Sequence, residues 1–337
     1  MPFELKKSES SQLLYTGQLT TADYENGSLD GGRLDGVFNI PLPYGNLRSQ
    51  LWFVNGVRLM YSEYELSNSC EFEWKGDLEL VTMYFNLKGK FSLAASGIDR
   101  KFELENNEHN LFYGKEAGGI MKLEELKMKS FMLQFTKASF FKIASDGNDA
   151  LKRFADHVNS GKFVTLSKTN LSIDLAMQSC IQAILNCRFA EPLKRIFYYS
   201  KAIELLVLQA EAHDRSTIDR ATYLKSDYDK ERILFARDFL LERLDAPPTL
   251  TELAKISGIN EFKLKRGFKE IFGITVFGYL NEVKMELAKN DLLERRKTAT
   301  EIAFELGFSS PQHFSNAFKK KFGVSPTNAF KLNRSLG

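Results

Sequence analysis

Thr249-Leu-Thr-Glu-Leu-Ala254 recurs as Thr298-Ala-Thr-Glu-Ile-Ala303, and Phe268-Lys-Glu-Ile-Phe-Gly273 recurs as Phe318-Lys-Lys-Lys-Phe-Gly323. The first pair is offset by 49 residues and the second by 50, so the later copy carries one extra residue in its turn. Self-similarity at such a period marks one supersecondary unit used twice. Each copy opens with Thr followed three residues later by Glu, the pattern of a capping box that starts a helix. Gly258 and Gly307 then stop that helix and supply a left-handed backbone for a tight turn. Ala254 and Ala303 are small where a second helix would cross closely. That second helix is predicted over Glu261–Phe272 and over Pro311–Phe322. Helix, glycine turn and helix together make a helix-turn-helix pattern, here in tandem.

Helical spacing sorts the second helices into inner and outer faces. Leu264, Gly267, Phe268 and Ile271 face inward; Phe262, Lys265, Arg266 and Lys269 face outward. In the later copy Phe314, Ala317 and Phe318 are inner, while Gln312, Ser315, Asn316 and Lys319 are outer. Such outer faces suit a duplex. Arg266 can pair with guanine O6/N7, Gln312 or Asn316 with adenine N6/N7, and Phe262 can pack on a thymine methyl. Lys269, Lys319, Lys320 and Lys321 suit phosphates, which position without specifying sequence. A lysine run is also an ordinary solvated face, and only its place beside the motif favours phosphate. Between the copies lies Val276–Glu294, amphipathic and about 28 Å long as a helix at 1.5 Å per residue. That approaches one DNA turn of about 34 Å, so the spacer would set the two outer faces in successive major-groove segments.

Residues Asp229–Leu332 resemble the DNA-binding domain of AraC/XylS-type transcription regulators. The likeness is most specific in Gly307-Phe-Ser-Ser-Pro-Gln-His-Phe-Ser-Asn-Ala-Phe-Lys-Lys-Lys-Phe-Gly-Val-Ser-Pro326. Leu264-Lys-Arg-Gly-Phe-Lys269 and Thr275-Val-Phe-Gly-Tyr-Leu280 resemble the siderophore-responsive, pyochelin-type subgroup. The resemblance implies that Phe262, Lys265 and Arg266 read bases from the first motif, and Gln312, His313, Ser315 and Asn316 from the second. It implies double-stranded DNA as partner, RNA polymerase as a further one, a homodimer, and a small effector, for the subgroup a ferric siderophore. The linker departs from the family. Where an arginine-rich run is common it has Tyr279-Leu-Asn-Glu-Val-Lys284, so Lys284 is its expected phosphate contact and Glu282 weakens the case.

The remaining two thirds have another texture. Leu51–Val54 ends at Asn55-Gly56, a hairpin signal, and Val57–Leu66 alternates. Cys70–Trp74, Leu78–Leu87, Arg100–Leu104, Asn110–Tyr113 and Ser130–Phe135 follow at short spacing, which predicts antiparallel strands. After about Phe140 the period lengthens. Ile173, Met177, Cys180, Ile184 and Cys187 form one helical seam. Ile196, Tyr199, Ile203, Leu206 and Ala210 form another, of the narrow type that suits a partner helix. Packing on the strands and dimerisation both fit these helices. His213–Asp229 is polar and predicts a linker. The expected fold is α+β: a β-rich sensor over 1–140, a helical dimerisation region and linker over 141–227, and an all-α DNA-binding domain with two helix-turn-helix motifs over 228–337. The resemblance implies that the sensor is an antiparallel jelly-roll whose lumen holds the effector. Trp52, Phe72, Trp74, Tyr84 and Phe85 would line it; the same residues would equally make a filled core.

Composition agrees with this division. Residues 228–337 hold 19 Lys and Arg against 14 Asp and Glu, whereas residues 1–227 hold 27 against 29. Positive charge at the C-terminal end favours a polyanion, although a mixed solvated surface also explains it. Cys70, Cys180 and Cys187 form no CxxC pair, which predicts a reducing compartment. With no apolar leader and no apolar stretch long enough for a bilayer, a cytoplasmic location without membrane contact is expected. No GxGxxG, Walker A, GxSxG or HExxH is present. Ser139-Phe-Phe-Lys142 fits SxxK without its companion motifs. His109 stands alone in the strand region, with His157, His213 and His313 in separate segments, so no metal site, cofactor or enzyme activity is expected. Two alternatives remain at this point, a regulator without a small ligand and a barrel enzyme with a DNA-binding tail.

Overall fold

The computed structural model describes residues 3–7, 13–17, 35–42, 44–75, 79–95, 101–114, 118–218, 224, 226–294 and 297–332. The expected strand bounds Leu78 and Arg100 lie outside them. The chain divides into two compact units, Met1–Arg220 and Ala221–Gly337.

The first unit is built on two sheets whose paired strands are antiparallel throughout. The smaller runs, in spatial order, Leu13–Gly17 (β2), Phe3–Lys7 (β1), Cys70–Lys75 (β6), Gly118–Leu123 (β11), Phe91–Ala95 (β8) and Phe102–Leu104 (β9). The larger runs Val164–Thr165 (β13), Glu108–Tyr113 (β10), Leu80–Lys88 (β7), Lys127–Thr136 (β12), Val57–Leu66 (β5), Gly45–Val54 (β4) and Asp35–Leu42 (β3), with Leu171–Ser172 (β14) also on β10. Asn55 and Gly56 close β4 onto β5 with φ of 45° and 76°, so both turn residues are left-handed as a two-residue hairpin of this twist demands. Val54 pairs directly with Val57, which fixes the register of both strands.

The larger sheet is buried on both faces, and the period of two distributes its side chains. Trp52, Val54, Val57, Leu59, Val81, Met83, Phe85, Phe131, Leu133 and Phe135 pack toward a helical layer. Leu42, Leu47, Tyr64, Leu66, Tyr84, Met128 and Met132 pack with Phe72, Phe91, Leu93, Phe102, Leu104 and Leu123 of the smaller sheet. This corrects the expected effector lumen. Trp52 and Phe85 belong to the helix-side core, whereas Phe72, Tyr84 and the half-buried Trp74 belong to the inter-sheet core. Phe72 and Trp74 stand on the smaller sheet facing the side of the larger sheet that carries Tyr84, while Trp52 and Phe85 face the helices, so the five do not form one lining.

The helical layer comprises Lys137–Ala144 (α1), Asp149–Asn159 (α2), Leu175–Leu185 (α3) and Leu193–Ile218 (α4). Thr136, Asn148 and Asp174 cap the first three, each side chain accepting a backbone N–H of the first turn. Ile173, Met177, Cys180 and Ile184 are all buried in the helix-side core. Helix α4 buries Tyr198, Ala202, Leu205, Leu206, Gln209 and Ala210, so Leu206 and Ala210 of the expected seam are inside and the rest of the buried line runs one residue earlier. Its apolar stripe is wide enough to contain two overlapping seams. Packing on Trp52, whose ring centroid is 5.5 Å from that of Tyr198, selects between them. Leu206 therefore serves the unit's own core. Leu193, Ile196 and Val207 remain more than half exposed, with Tyr199 and Ile203 half-buried. The helix also runs to Ile218, into the stretch expected to be linker.

The second unit is helical: Asp227–Leu241 (α5), Leu250–Ile256 (α6), Glu261–Phe272 (α7), Val276–Glu294 (α8), Ala299–Glu305 (α9), Pro311–Phe322 (α10) and Pro326–Leu332 (α11). Among the described residues no helix is long and apolar enough to cross a membrane, and no group of three or more potential metal ligands occurs.

Candidate nucleic-acid interface

Both capping boxes form as their sequence predicts. The Thr249 amide donates to Glu252 Oε2 at 2.8 Å, and the Glu252 amide donates to Thr249 Oγ1 at 3.3 Å. The same pair of bonds joins Thr298 and Glu301 at 2.7 and 3.2 Å. Accepting these bonds holds both carboxyls below the usual glutamate range. Gly258 and Gly307 turn the chain at φ of 69° and 67°. Asn260 and Ser310 cap the following helices, with Pro311 at the first turn of the second. Gly273 and Gly323 end those helices in the left-handed conformation.

Each second helix hides the expected face. Leu264, Gly267, Phe268 and Ile271 are buried in α7, and Phe314 and Phe318 in α10, with Ala317 half-buried. Phe268 meets Phe272 at 4.5 Å and Tyr279 at 5.5 Å between ring centroids, which locks α7 onto α8. Phe314, Phe318, Ile302 and Ala303 pack on Met285, Ala288 and Leu292 of the same spacer helix. Helix α8 is thus the common spine to which both motifs are fixed.

The outer faces differ in chemistry. On α7, Phe262 is 62% exposed, an unusual cost for a phenyl ring in water. The Arg266 guanidinium lies 5.8 Å from that ring's centroid. Lys265 and Lys269 are exposed beside them, and Lys265 reaches Glu261 at 3.3 Å. On α10, Gln312, His313, Asn316, Lys319 and Lys320 are exposed and Ser315 is half-buried. The Gln312 amide donates to Asn316 Oδ1 at 3.4 Å. The His313 ring is fixed by Ser309 Oγ, 2.7 Å from its Nδ1; Ser309 is a positioning partner that helical spacing alone does not reveal. Each motif therefore leaves its expected outer residues accessible on its second helix, Phe262 among cations and Glu261 bonded to Lys265 on α7, and amides, a histidine and lysines on α10.

Two of the expected phosphate contacts stand elsewhere. Lys284 is buried, with its ammonium 5.4 Å from the centre of the Phe308 ring. Burial draws its pKa below the ordinary lysine range, with the Asp245 charge opposing that shift. Lys321 is held by Glu282 at 2.8 Å and Glu286 at 2.9 Å, both on α8. Glu282, expected to repel phosphate, instead ties α10 to the spine. A separation of 39 residues hid this contact from the sequence.

Residues 253–331 match the helix-turn-helix domain family, and residues 45–222, more than half of the chain, match the Regulatory protein PchR N-terminal domain family. The chain belongs to the PchR-type branch of the AraC regulators. Regulatory protein PchR of Pseudomonas aeruginosa is 36% identical over 121 residues, covering 35% of this chain and 40% of that protein. HTH-type transcriptional regulator GlxA of Rhizobium meliloti is 35% identical over 83 residues, covering 25% of this chain and 26% of its own. These alignments thus span less than half of either relative. An AraC-type transcriptional regulator from Chromobacterium violaceum of known structure is 22% identical and covers 33% of this chain and all of its own; its TM-score of 0.30 carries no argument. In this chain the PchR-type N-terminal regulatory domain precedes the helix-turn-helix domain, and the two relatives named are regulators.

Proposed function

We propose that this PchR-type regulator binds double-stranded DNA through α7 and α10, reading two successive major-groove segments, under the control of a small effector held by the first unit. The observation that carries the reading is the repeated strip: two capped, glycine-turned helices on one spine, each presenting polar and cationic side chains to solvent. Phe262, Lys265 and Arg266 read bases from α7, and Gln312, His313, Ser315 and Asn316 from α10, while Lys269, Lys319 and Lys320 hold phosphates. Footprinting of the full chain on its operator tests this. Two protected patches about one helical turn apart on one face are expected; protection confined to half a turn would exclude one motif. RNA polymerase is the partner through which such binding acts on transcription, in the cytoplasm.

The effector class is a ferric siderophore on the subgroup resemblance. Stabilisation of the full chain by ferric but not iron-free siderophore would support it, because a ligand that binds only the native state raises its melting temperature. The outward line of α4, with Leu193, Ile196 and Val207 exposed and Ile203 half-buried, suits a second copy of this chain. Asp at Ile203 and Val207 would leave two charges unpaired in that seam, so the variant is expected to sediment as a folded monomer.

A further inference from the structure

A cleft of about 570 Å³ opens on the first unit between α2, the segment 164–169 and the last turns of α4. Phe154 and Leu166 give it an apolar floor, both buried. Its polar rim comprises Arg153, His157, Lys168 and His213 with several hydroxyls, and among the described residues no carboxylate lines it. Ordinary surface mixes the two signs. Of the nearby acids, Asp214 accepts from Asn148 Nδ2 at 2.7 Å, and Asp174 from Arg215 at 3.0 Å. Arg153 and Lys168 are both exposed, and neither is paired with a carboxylate among the described residues. The deep polar groups are organised. Ser167 is buried, its hydroxyl 2.8 Å from His213 Nδ1, and its backbone carbonyl accepts from Asn110 Nδ2 at 3.0 Å.

We propose that this cleft binds a small molecule bearing a carboxylate on an apolar body. Arg153 and Lys168 hold the carboxylate, His213 and Ser167 fix its orientation, and Phe154 and Leu166 carry the body. The residues of the sequence-predicted lumen divide between two cores and so do not converge on one ligand. The cleft has apolar floor and convergent polar groups together, the combination that makes a ligand site. The inference rests on the effector reading and deepens it by assigning the effector's place. His213 stands on α4, the last helix of the first unit and the one leading into the DNA-binding unit. One turn earlier on the same face, the buried Gln209 amide lies 2.8 Å from His109 Nδ1 in the sheet. A ligand gripping His213 therefore adds to the bonds that hold the end of α4 to its sheet.

The test uses the full chain with 2-naphthoate and its neutral counterpart 2-naphthamide, binding being measured by equilibrium dialysis. The carboxylate is expected to bind about tenfold or more tightly than the amide, the worth of one charge-assisted hydrogen bond. Arg153→Gln with Lys168→Gln should remove that preference without changing the melting temperature. Lys142→Gln with Lys152→Gln, an equal loss of charge at exposed positions outside the cleft, should preserve it. Equal binding of acid and amide, absence of carboxylate binding, or retention of the preference in the Arg153/Lys168 variant would each overturn the proposal. DNA affinity measured in the same samples separates the two readings. Carboxylate binding that depends on Arg153 and Lys168 but leaves DNA affinity unchanged supports the cleft and removes effector control. A DNA response identical in parent and variant keeps an effector and overturns this cleft.

Discussion

Residues 249–273 and 298–323 start from the same capping box, turn at a left-handed glycine and end at another, at φ of 74° and 76°. Their surroundings are not the same. In the first motif the crossing is closest at Gly267, where an added Cβ would stand 2.6 Å from Leu224 Cδ2 and 3.0 Å from Ile233 Cδ1. The second motif has Ala317 at the matching place, half-buried. At the turns the order reverses. A Cβ on Gly258 would meet only Tyr228 Oη, at 3.5 Å, whereas one on Gly307 would lie 1.9 Å from the Asp245 carbonyl oxygen. Local backbone devices are thus copied between the motifs, while close approach is set by what each copy packs against.

That contrast gives the largest expected effect. Ala at either turn pays the left-handed strain, about 1–2 kcal/mol. Ala at Gly307 must in addition move backbone, because a carbonyl oxygen cannot rotate away as a side chain does. Gly307→Ala is expected to destabilise by about 3 kcal/mol or more, against about 1–2 for Gly258→Ala. Urea unfolding of the two full-length variants measures both. Equal losses would mean that the second turn has the freedom of the first.

The turn glycines, caps and inner faces were legible in the sequence because they answer to local rules: a hydroxyl three residues before a glutamate, a residue without Cβ, a period of 3.6. The strands were legible where hairpin chemistry and alternation coincided, as at Val54–Val57. What escaped was set by distant contacts. Lys321 carries no local sign of Glu282 and Glu286. Trp52 and Tyr84 are both aromatic and both buried, yet only the sheet's second covered face assigns them to different cores. In α4 two seams one residue apart were equally periodic, and Tyr198 packing on Trp52 decided which was inside.

The second expected effect concerns the outer faces. Arg266 is the guanidinium of the first strip, whereas the second strip presents the amides of Gln312 and Asn316. Arg266→Ala should cost about 1–3 kcal/mol on the operator and relax preference at one base position. Lys319→Ala should weaken binding to every sequence alike and lower the salt slope by about one counterion. Binding to a panel of single-base operator variants at several salt concentrations checks both. The same sequence-independent loss in each would erase the distinction between reader and anchor.

The caps should behave alike. Thr249→Ala and Thr298→Ala each remove the hydroxyl that accepts a first-turn amide, at a cost of about 1 kcal/mol. The partner carboxyls of Glu252 and Glu301 are held below their ordinary range in the folded chain. Their contribution is therefore present above the unfolded glutamate pKa and is lost as pH falls through the lower folded values. The two substitutions should weaken that acid sensitivity equally in urea titrations across pH. A difference between them would show that one box is supported by its surroundings as well as by its own residues.

The smallest effect tests the lysine run itself, where sequence makes three neighbours look equivalent and packing does not. Lys319 and Lys320 are exposed; Lys321 has only 19% of its side chain accessible and bridges Glu282 and Glu286. A partly exposed ion pair contributes about 0–1 kcal/mol, so Lys321→Ala should shift stability only within that range. Its ammonium is already neutralised by two carboxylates, so it displaces few counterions from a duplex. The salt slope of operator binding should stay at the parent value in Lys321→Ala, while Lys319→Ala and Lys320→Ala each lower it by about one. Glu282→Gln with Glu286→Gln gives the converse: with its carboxylates removed, Lys321 is released toward the strip and the slope should steepen. A slope that falls in Lys321→Ala as much as in its neighbours would mean that DNA draws this lysine away from α8, and that the spine loosens when the duplex binds.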